Sequence, residues 1–253
     1  MSEQFRLIIH DAQDAFTNMA IDEAIIRSAK EIQKPTVRLY SWKPEAISIG
    51  YFQSLKQEVD IEKCSELGVD LVRKTTGGGA VFHDEELTYS FVCTEESNIV
   101  PKAILDSYAR ICGAVVNSFK SFGLDASFVP INDIIVNGKK ISGNAQTRRY
   151  NSVLQHGTLL LGVDVEKMFS LLKVPDEKIR DKMIKVVSER VTSLEKELSR
   201  KVPFAEAAQK VKEGFEEEFK VELVEEPLAK EEISLAEQIR KEKFSLRDWN
   251  YMR

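Results

Sequence analysis

Three short clusters bring together residue types that could do chemistry. The first is Arg73-Lys74-Thr75-Thr76-Gly77-Gly78-Gly79-Ala80-Val81-Phe82-His83-Asp84. Three consecutive glycines let a backbone approach a ligand closely and turn its amides toward an anion. Two cations stand beside them. No Gly-Lys-Ser/Thr follows, so the cluster is not a Walker A loop, and no GxGxxG opens a helix, so it is not a dinucleotide fingerprint. Three glycines alone are more often a turn between two strands. The second cluster runs from Asn132-Asp133 through Asn137-Gly138-Lys139-Lys140-Ile141-Ser142-Gly143-Asn144-Ala145. Asn-Gly is a strong hairpin signal. On the return strand, period two turns one of the two lysines inward and the other to solvent. An inward ammonium suits a carboxylate or phosphate; without other evidence, two solvated lysines are the simpler reading. The third cluster, Gln155-His156-Gly157-Thr158-Leu159-Leu160-Leu161, places a histidine in an apolar strand. There it could line a pocket or serve as a hydrogen-bonded structural residue.

Positioning these clusters requires strands and helices in irregular alternation. Strand character is expected from Phe5 to His10, Val37 to Trp42, Ala46 to Gly50, Val69 to Arg73, Ala80 to Phe82 and Leu87 to Cys93. The strands at 37–42 and 46–50 would flank a Lys43-Pro44 turn. Helices are expected over 14–30, where Phe16, Met19, Ala20, Ala24 and Ile25 form one stripe, over 57–67 ending at Gly68, and from Pro101 to Phe122 closed by Gly123. Short strands and turns fill 127–161. Beyond 165 the period is mostly helical, most clearly over 203–219. Many strands joined by short turns predict an α+β fold with a mixed, largely antiparallel sheet, not a doubly wound one.

Composition narrows the function classes. The 253 residues are 43% hydrophobic, enough for a substantial core without disulfide staples. A net charge of −5 argues against bulk attraction to nucleic acid or to an anionic membrane. Cys64, Cys93 and Cys112 form no CxxC, and His10, His83 and His156 form no HExxH, which argues against a structural zinc site. The opening MSEQFRLIIHDAQD lacks the basic and apolar regions of a signal peptide, and a cytoplasmic protein is expected. Of the 12 glycines, only Gly162 and Gly214 lie beyond position 160, so a glycine-bearing front is followed by a charged back.

The clusters in this order resemble the lipoate-protein ligase family of the biotin/lipoate protein ligase superfamily. The resemblance extends to Asn18-Met19-Ala20-Ile21-Asp22-Glu23-Ala24, Ile49-Gly50-Tyr51-Phe52-Gln53 and Lys173-Val174-Pro175-Asp176-Glu177-Lys178. It implies a fold related to class II aminoacyl-tRNA synthetases and biotin synthetases. It also implies an ATP-dependent ligase: lipoate attacks the α-phosphate of ATP to give lipoyl-AMP, and an acceptor lysine then takes the lipoyl group. In that scheme Lys140 is the catalytic lysine, touching the lipoyl carbonyl and the α-phosphate. Gly77, Gly78 and Gly79 pack against the acyl chain and adenylate. Arg73 and Lys74 assist at the carboxylate, although many relatives carry a second arginine where Lys74 stands. Phe82, His83 and Asp84 lie beside adenine and ribose, and Asn132 and Asp133 lie near the phosphates, with Asp133 helping to place Mg²⁺. Thr76, Val81, Ser142, Gly143 and His156 complete the substrate and nucleotide site.

The length matches a single catalytic domain over 1–253, so a separate small accessory subunit is expected as a partner. Acceptors would be lipoyl domains of 2-oxoacid dehydrogenase acyltransferase subunits or the glycine-cleavage H protein. Two other readings remain. An octanoyltransferase of the same superfamily would move an acyl group from a carrier protein without ATP, through a cysteine thioester, and GNAQTRRYNSVLQHG looks much like one subgroup of these. The lack of a cysteine between Phe128 and Gly157 favours the ligase. A lipoate-binding subunit that is inactive alone is the other. Biotin ligase fits less well, because its GRGRxG loop is absent.

Overall fold

The computed structural model describes residues 3–174 and 177–253. Pro175 and Asp176, part of the stretch that carries the resemblance, lie outside the described residues. The front of the chain forms β1 (Gln4–Ile9), α1 (Ala15–Ile32), β2 (Thr36–Tyr40), β3 (Ala46–Ile49), α2 (Leu55–Glu58), α3 (Ile61–Glu66), β4 (Asp70–Arg73), β5 (Val81–His83) and β6 (Glu86–Thr94). The middle forms α4 (Ile104–Lys120), β7 (Ala126–Val129), β8 (Asp133–Val136), β9 (Lys139–Arg149) and β10 (Ser152–Leu160). The back forms α5 (Val165–Leu171), α6 (Glu177–Arg190), α7 (Leu194–Leu198), α8 (Phe204–Phe219), β11 (Glu222–Glu225), α9 (Lys230–Ile239) and α10 (Arg247–Asn250).

Eight strands make the main sheet in the order β11-β1-β2-β6-β10-β9-β8-β7. Only β11–β1 and β1–β2 pair in parallel; the other pairs are antiparallel. A second sheet, β4-β3-β5, holds the glycine cluster between its outer strands. The expected mixed, largely antiparallel sheet flanked by helices is present.

Period two sorts the side chains of the main sheet. Leu87, Tyr89, Phe91 and Cys93 on β6 and Val37 and Leu39 on β2 pack under α4 and α8. The alternate residues, Arg38 and Tyr40 on β2 and Thr88 and Ser90 on β6, are also buried, but they are polar and face α1. His156 on β10 lies opposite Ser90 on one neighbour and Ala145 on the other, within the same polar zone. One face of the sheet is therefore an ordinary apolar core, and the other, beneath α1, joins a hydrogen-bonded floor to a second apolar cluster that includes Ile8, Val92 and Leu154. Asp14 caps α1 by accepting from the amides of Phe16 and Thr17 at 3.0 and 2.9 Å. The buried pair Arg6–Glu232, bidentate at 2.7 and 2.6 Å, ties β1 to α9 on that same side.

The strands expected at 37–42 and 46–50 flank the Lys43-Pro44 turn, with β2 joining the main sheet and β3 the small one. Two expectations are refined. The helix expected over 57–67 is two helices: Val59 bridges to Leu172 between them, and the Asp60 side chain caps the second. The charged back is not wholly helical. Val221 and Leu223 turn into the α4–α8 core, and the segment pairs with β1 as edge strand β11. Among the described residues no helix is long and apolar enough to cross a membrane.

His10 follows β1, and its Nδ1 accepts from Arg38 Nε at 3.0 Å. Burial, and then the Arg38 charge, push its imidazole down to about 4. A histidine depressed in the fold stabilises fully above its unfolded value near 6.5 and loses that contribution as pH falls toward 4. The destabilisation caused by His10→Gln is expected to be larger at pH 7.5 than at pH 4.5, as measured by urea unfolding at each pH.

Candidate active site

The three clusters converge on one cleft where the two sheets meet. Lys74, Gly78, Gly79, Val81 and His83 come from the glycine segment, Asn132, Lys140 and Gly143 from the hairpin, and His156 from β10. This lobe encloses about 150 Å³ and is closed at its inner end by Met19, Tyr40 and Trp42. A second lobe of about 200 Å³ continues past Val81, Lys140, Gly143 and Thr158, which line both. Phe82, Asp84, Leu160, Met168 and Val187 wall the second lobe. Lys140 therefore stands at the waist of a two-lobed cleft.

Local structure explains how Lys140 reaches that position. Asn137 and Gly138 both have positive φ, giving the tight turn that the dipeptide predicts. A register shift on β8, between Ile134 and Ile135, sets Lys140 opposite Ile135 and Ser142 opposite Ile134. The Lys140 ammonium pairs with Asp133 at 2.7 Å and lies across Gly143, where a Cβ would meet its Cε and Nζ at 3.0 Å. Lys139 is exposed, so the strand presents one lysine inward and one outward.

Lys74 is buried, and its Nζ donates to the Gly79 carbonyl at 2.9 Å. Burial, and then the Lys140 charge, push its ammonium down to about 8. Arg73 was expected to assist beside it but turns the other way. Its guanidinium is fully buried and donates to the carbonyls of Gly50, Tyr51, Gln53, Trp249 and Asn250 at 2.6–3.1 Å. Adjacent strand residues point to opposite faces, so the pair Arg73-Lys74 cannot present both cations to one cleft. Thr76, Gly77, Asp133 and Ser142 also lie outside the cleft wall. Thr76 Oγ1 sits 2.8 Å from His156 Nε2, beneath the lining. Asp133 is occupied by Lys140, and among the described residues no three His, Cys, Asp or Glu side chains converge as metal ligands. The donor set does not make a resident Mg²⁺ site.

Sequence reasoning missed the floor of the cleft. Asp22 on α1 accepts from Arg38 Nη1 at 2.7 Å, Ser90 Oγ at 2.9 Å and Tyr40 Oη at 2.9 Å, and lies 3.5 Å from His156 Nδ1. Burial alone would raise its carboxyl, but hydrogen bonding to His156 and the Arg38 charge outweigh burial and hold it below the usual range. Burial pushes His156 down, which favours the neutral ring. His83 stacks on Trp42 with centroids 3.9 Å apart, with Ser48 Oγ 2.8 Å from Nε2 and Glu86 Oε1 2.7 Å from Nδ1. Asn132 and Asn144 exchange side-chain-to-carbonyl hydrogen bonds at 2.6 and 2.9 Å, fixing the hairpin entrance. Polar residues inside apolar strands, such as Arg38 in TVRLY, and Asn18 and Asp22 one turn apart on α1, were the available signal.

A mixed sheet carrying this glycine-and-lysine cleft is the build of an enzyme of the lipoyl ligase class. Residues 14–216 match the lipoyl protein ligase A/B catalytic domain, and the chain belongs to that family. Octanoyltransferase LipM of Brevibacillus brevis is 34% identical to it over 99% of this chain and all of that protein. Octanoyltransferase LipM of Bacillus subtilis is 33% identical over 96% of each. Among solved structures, the bipartite lipoate protein ligase of Thermoplasma acidophilum, described with its E2 lipoyl domain, is 34% identical with a TM-score of 0.90, covering 98% of this chain and 96% of that one. A lipoate-protein ligase A bound with ATP is 31% identical with a TM-score of 0.85, covering 98% of each.

These relatives overturn the expected ATP-dependent lipoate ligase. Curated relatives matched over nearly their whole length are named octanoyltransferases, the reading that the missing cysteine had disfavoured.

The glycine segment packs tightly at one point only. A Cβ on Gly50 would meet the Gly78 carbonyl oxygen at 2.0 Å and its carbon at 3.0 Å, whereas one on Gly77 would meet nothing within 4 Å. Gly50→Ala is expected to destabilise by about 1–3 kcal/mol through overpacking, and Gly77→Ala to stay within about 0.5 kcal/mol of wild type. Urea unfolding of the two variants checks the contrast.

Proposed function

We propose that the protein transfers an octanoyl or closely related acyl group from a thioester donor to the ε-amine of a lysine on an acceptor lipoyl domain. The observation that carries this reading is Lys140 at the waist of the two-lobed cleft, with Lys74 and the Gly78-Gly79 backbone on the same wall. Acyl transfer builds negative charge on the carbonyl oxygen, and preorganised cations and amides in a desolvated site stabilise that charge. Met19, Tyr40, Trp42 and Val81 offer apolar surface for an alkyl chain. The curated octanoyltransferases support the acyl group and its transfer. The neighbouring ligase described with an E2 lipoyl domain supports the acceptor class. The acyl carbon arrives already activated in the thioester, so no nucleotide is needed for this step.

The test is incubation with an octanoylated carrier protein and an apo lipoyl domain, without ATP, read by intact mass. One octanoyl group per lipoyl domain is expected. Lys140→Ala is expected to keep the wild-type unfolding midpoint and to lose about 10²–10³-fold in kcat/KM. Acylation only from the free acid with ATP, and none from the thioester, would overturn the reading.

A further inference from the structure

Phe52 is 71% exposed, the most exposed large apolar side chain among the described residues. A lone exposed ring is ordinary, but this one belongs to a group. It meets Tyr51 edge to face with centroids 5.0 Å apart, and Tyr51 lies 5.8 Å from Trp249. Three cations sit over these rings. Arg149 is 5.2 Å from the Tyr51 centroid, Arg253 is 5.3 Å from that of Phe52, and Lys243 is 4.0 Å from that of Trp249.

The charge of this face is not neutralised from within. Lys243 pairs with Glu23, and Arg148 with Glu95, but among the described residues no carboxylate pairs with Arg149. Arg73, buried against Tyr51 and Trp249, is held by carbonyls alone. Burial, and then the Arg253 charge, lower its guanidinium. Burial lowers Lys243 as well, and the charges of Arg27 and Arg149 add to that against the Glu23 partner. These cations repel one another across one face of a chain whose net charge is −5. Aromatic rings and arginines gathered at the surface have the composition of a protein-docking site.

The patch adjoins the cleft. The Tyr51 amide donates to the Thr76 carbonyl at 2.9 Å, and Gly50 seats the carbonyl of Gly78, which lines the first lobe. Arg149 ends β9, the strand that brings Gly143 and Ala145 to the same lobe. A lysine on a folded domain reaches into a cleft only by the length of its own side chain, so the body of the domain must rest on the surrounding surface. That lysine is a cation bound for a lobe lined by Lys74 and Lys140. Its approach is repelled unless carboxylates flank it and find positive charge outside the cleft.

Resting on the acceptor class proposed above, we propose that the Tyr51–Phe52–Arg149 patch docks an acidic face of the acceptor lipoyl domain beside its target lysine. Phe52 is the apolar anchor, and Arg149 meets the carboxylates.

Calorimetric titration with an apo lipoyl domain tests the surface without requiring acyl transfer. Arg149→Glu and Phe52→Ala are each expected to keep the wild-type unfolding midpoint and to weaken binding about tenfold or more. Added salt is expected to weaken wild-type binding, and Arg149→Glu to flatten that dependence. In the transfer assay both variants are expected to raise KM for the lipoyl domain while leaving kcat and the KM of the octanoylated carrier protein unchanged. Wild-type binding by either variant, a raised KM for the carrier protein instead, or loss of self-association in place of lipoyl-domain binding would overturn the docking surface and leave the transferase reading intact. Patch-dependent binding with no transfer from the thioester would sink the transferase reading alone.

Discussion

The cleft depends on one buried carboxylate. Asp22 gathers Arg38 and Tyr40 from β2, Ser90 from β6 and, at slightly longer range, His156 from β10, joining α1 to three strands of the sheet. A charge in that position is costly unless it is paired and fully hydrogen-bonded. Arg38 supplies the pairing: its guanidinium also donates to the Asn18 side chain and carbonyl and lies 3.8 Å over the Tyr40 ring. The polar half of the sheet can be buried because these groups satisfy one another. The cleft floor is consequently stiff and has few spare donors or acceptors.

Above that floor the chemistry is sparse and cationic. Lys74 is shielded from water, and Lys140 is half open and partnered by Asp133. The two lysines differ in environment, although both face the same cleft. The glycine segment between them acts chiefly by leaving room: Gly50 accepts the Gly78 carbonyl, and Gly143 accepts the Lys140 side chain. An acyl chain and two reacting groups can meet there because no side chain occupies the space.

Much of this was legible in the sequence. The Asn-Gly turn and the alternation after it located Lys140, and the glycine run marked the cleft wall. The apolar stripes of α1 and α8 gave the layers. Arg73 was misread because a cation beside glycines suggests an anion, whereas strand alternation sends it to the opposite face from Lys74. Its partners, five main-chain carbonyls, leave no mark in the sequence. Asp22 and Arg38 were hidden for a related reason: a buried ion pair between a helix and a strand has no local spacing. β11 was lost because a four-residue edge strand between charged helices carries too short an alternation to stand out. The choice of reaction failed because the missing cysteine was weighed against the octanoyltransferase reading, whereas the curated relatives that span the chain carry that name.

The Arg73 clamp also constrains how the molecule is made. Two of the carbonyls that satisfy it, at Trp249 and Asn250, lie 176 and 177 residues further along the chain. During synthesis the glycine segment emerges early, yet its supporting guanidinium has no complete set of acceptors until those distant residues leave the ribosome. The nascent front half must hold an unfinished cleft until residues 249 and 250 have been made, and a substrate cannot meet the mature site until they have folded back onto β4.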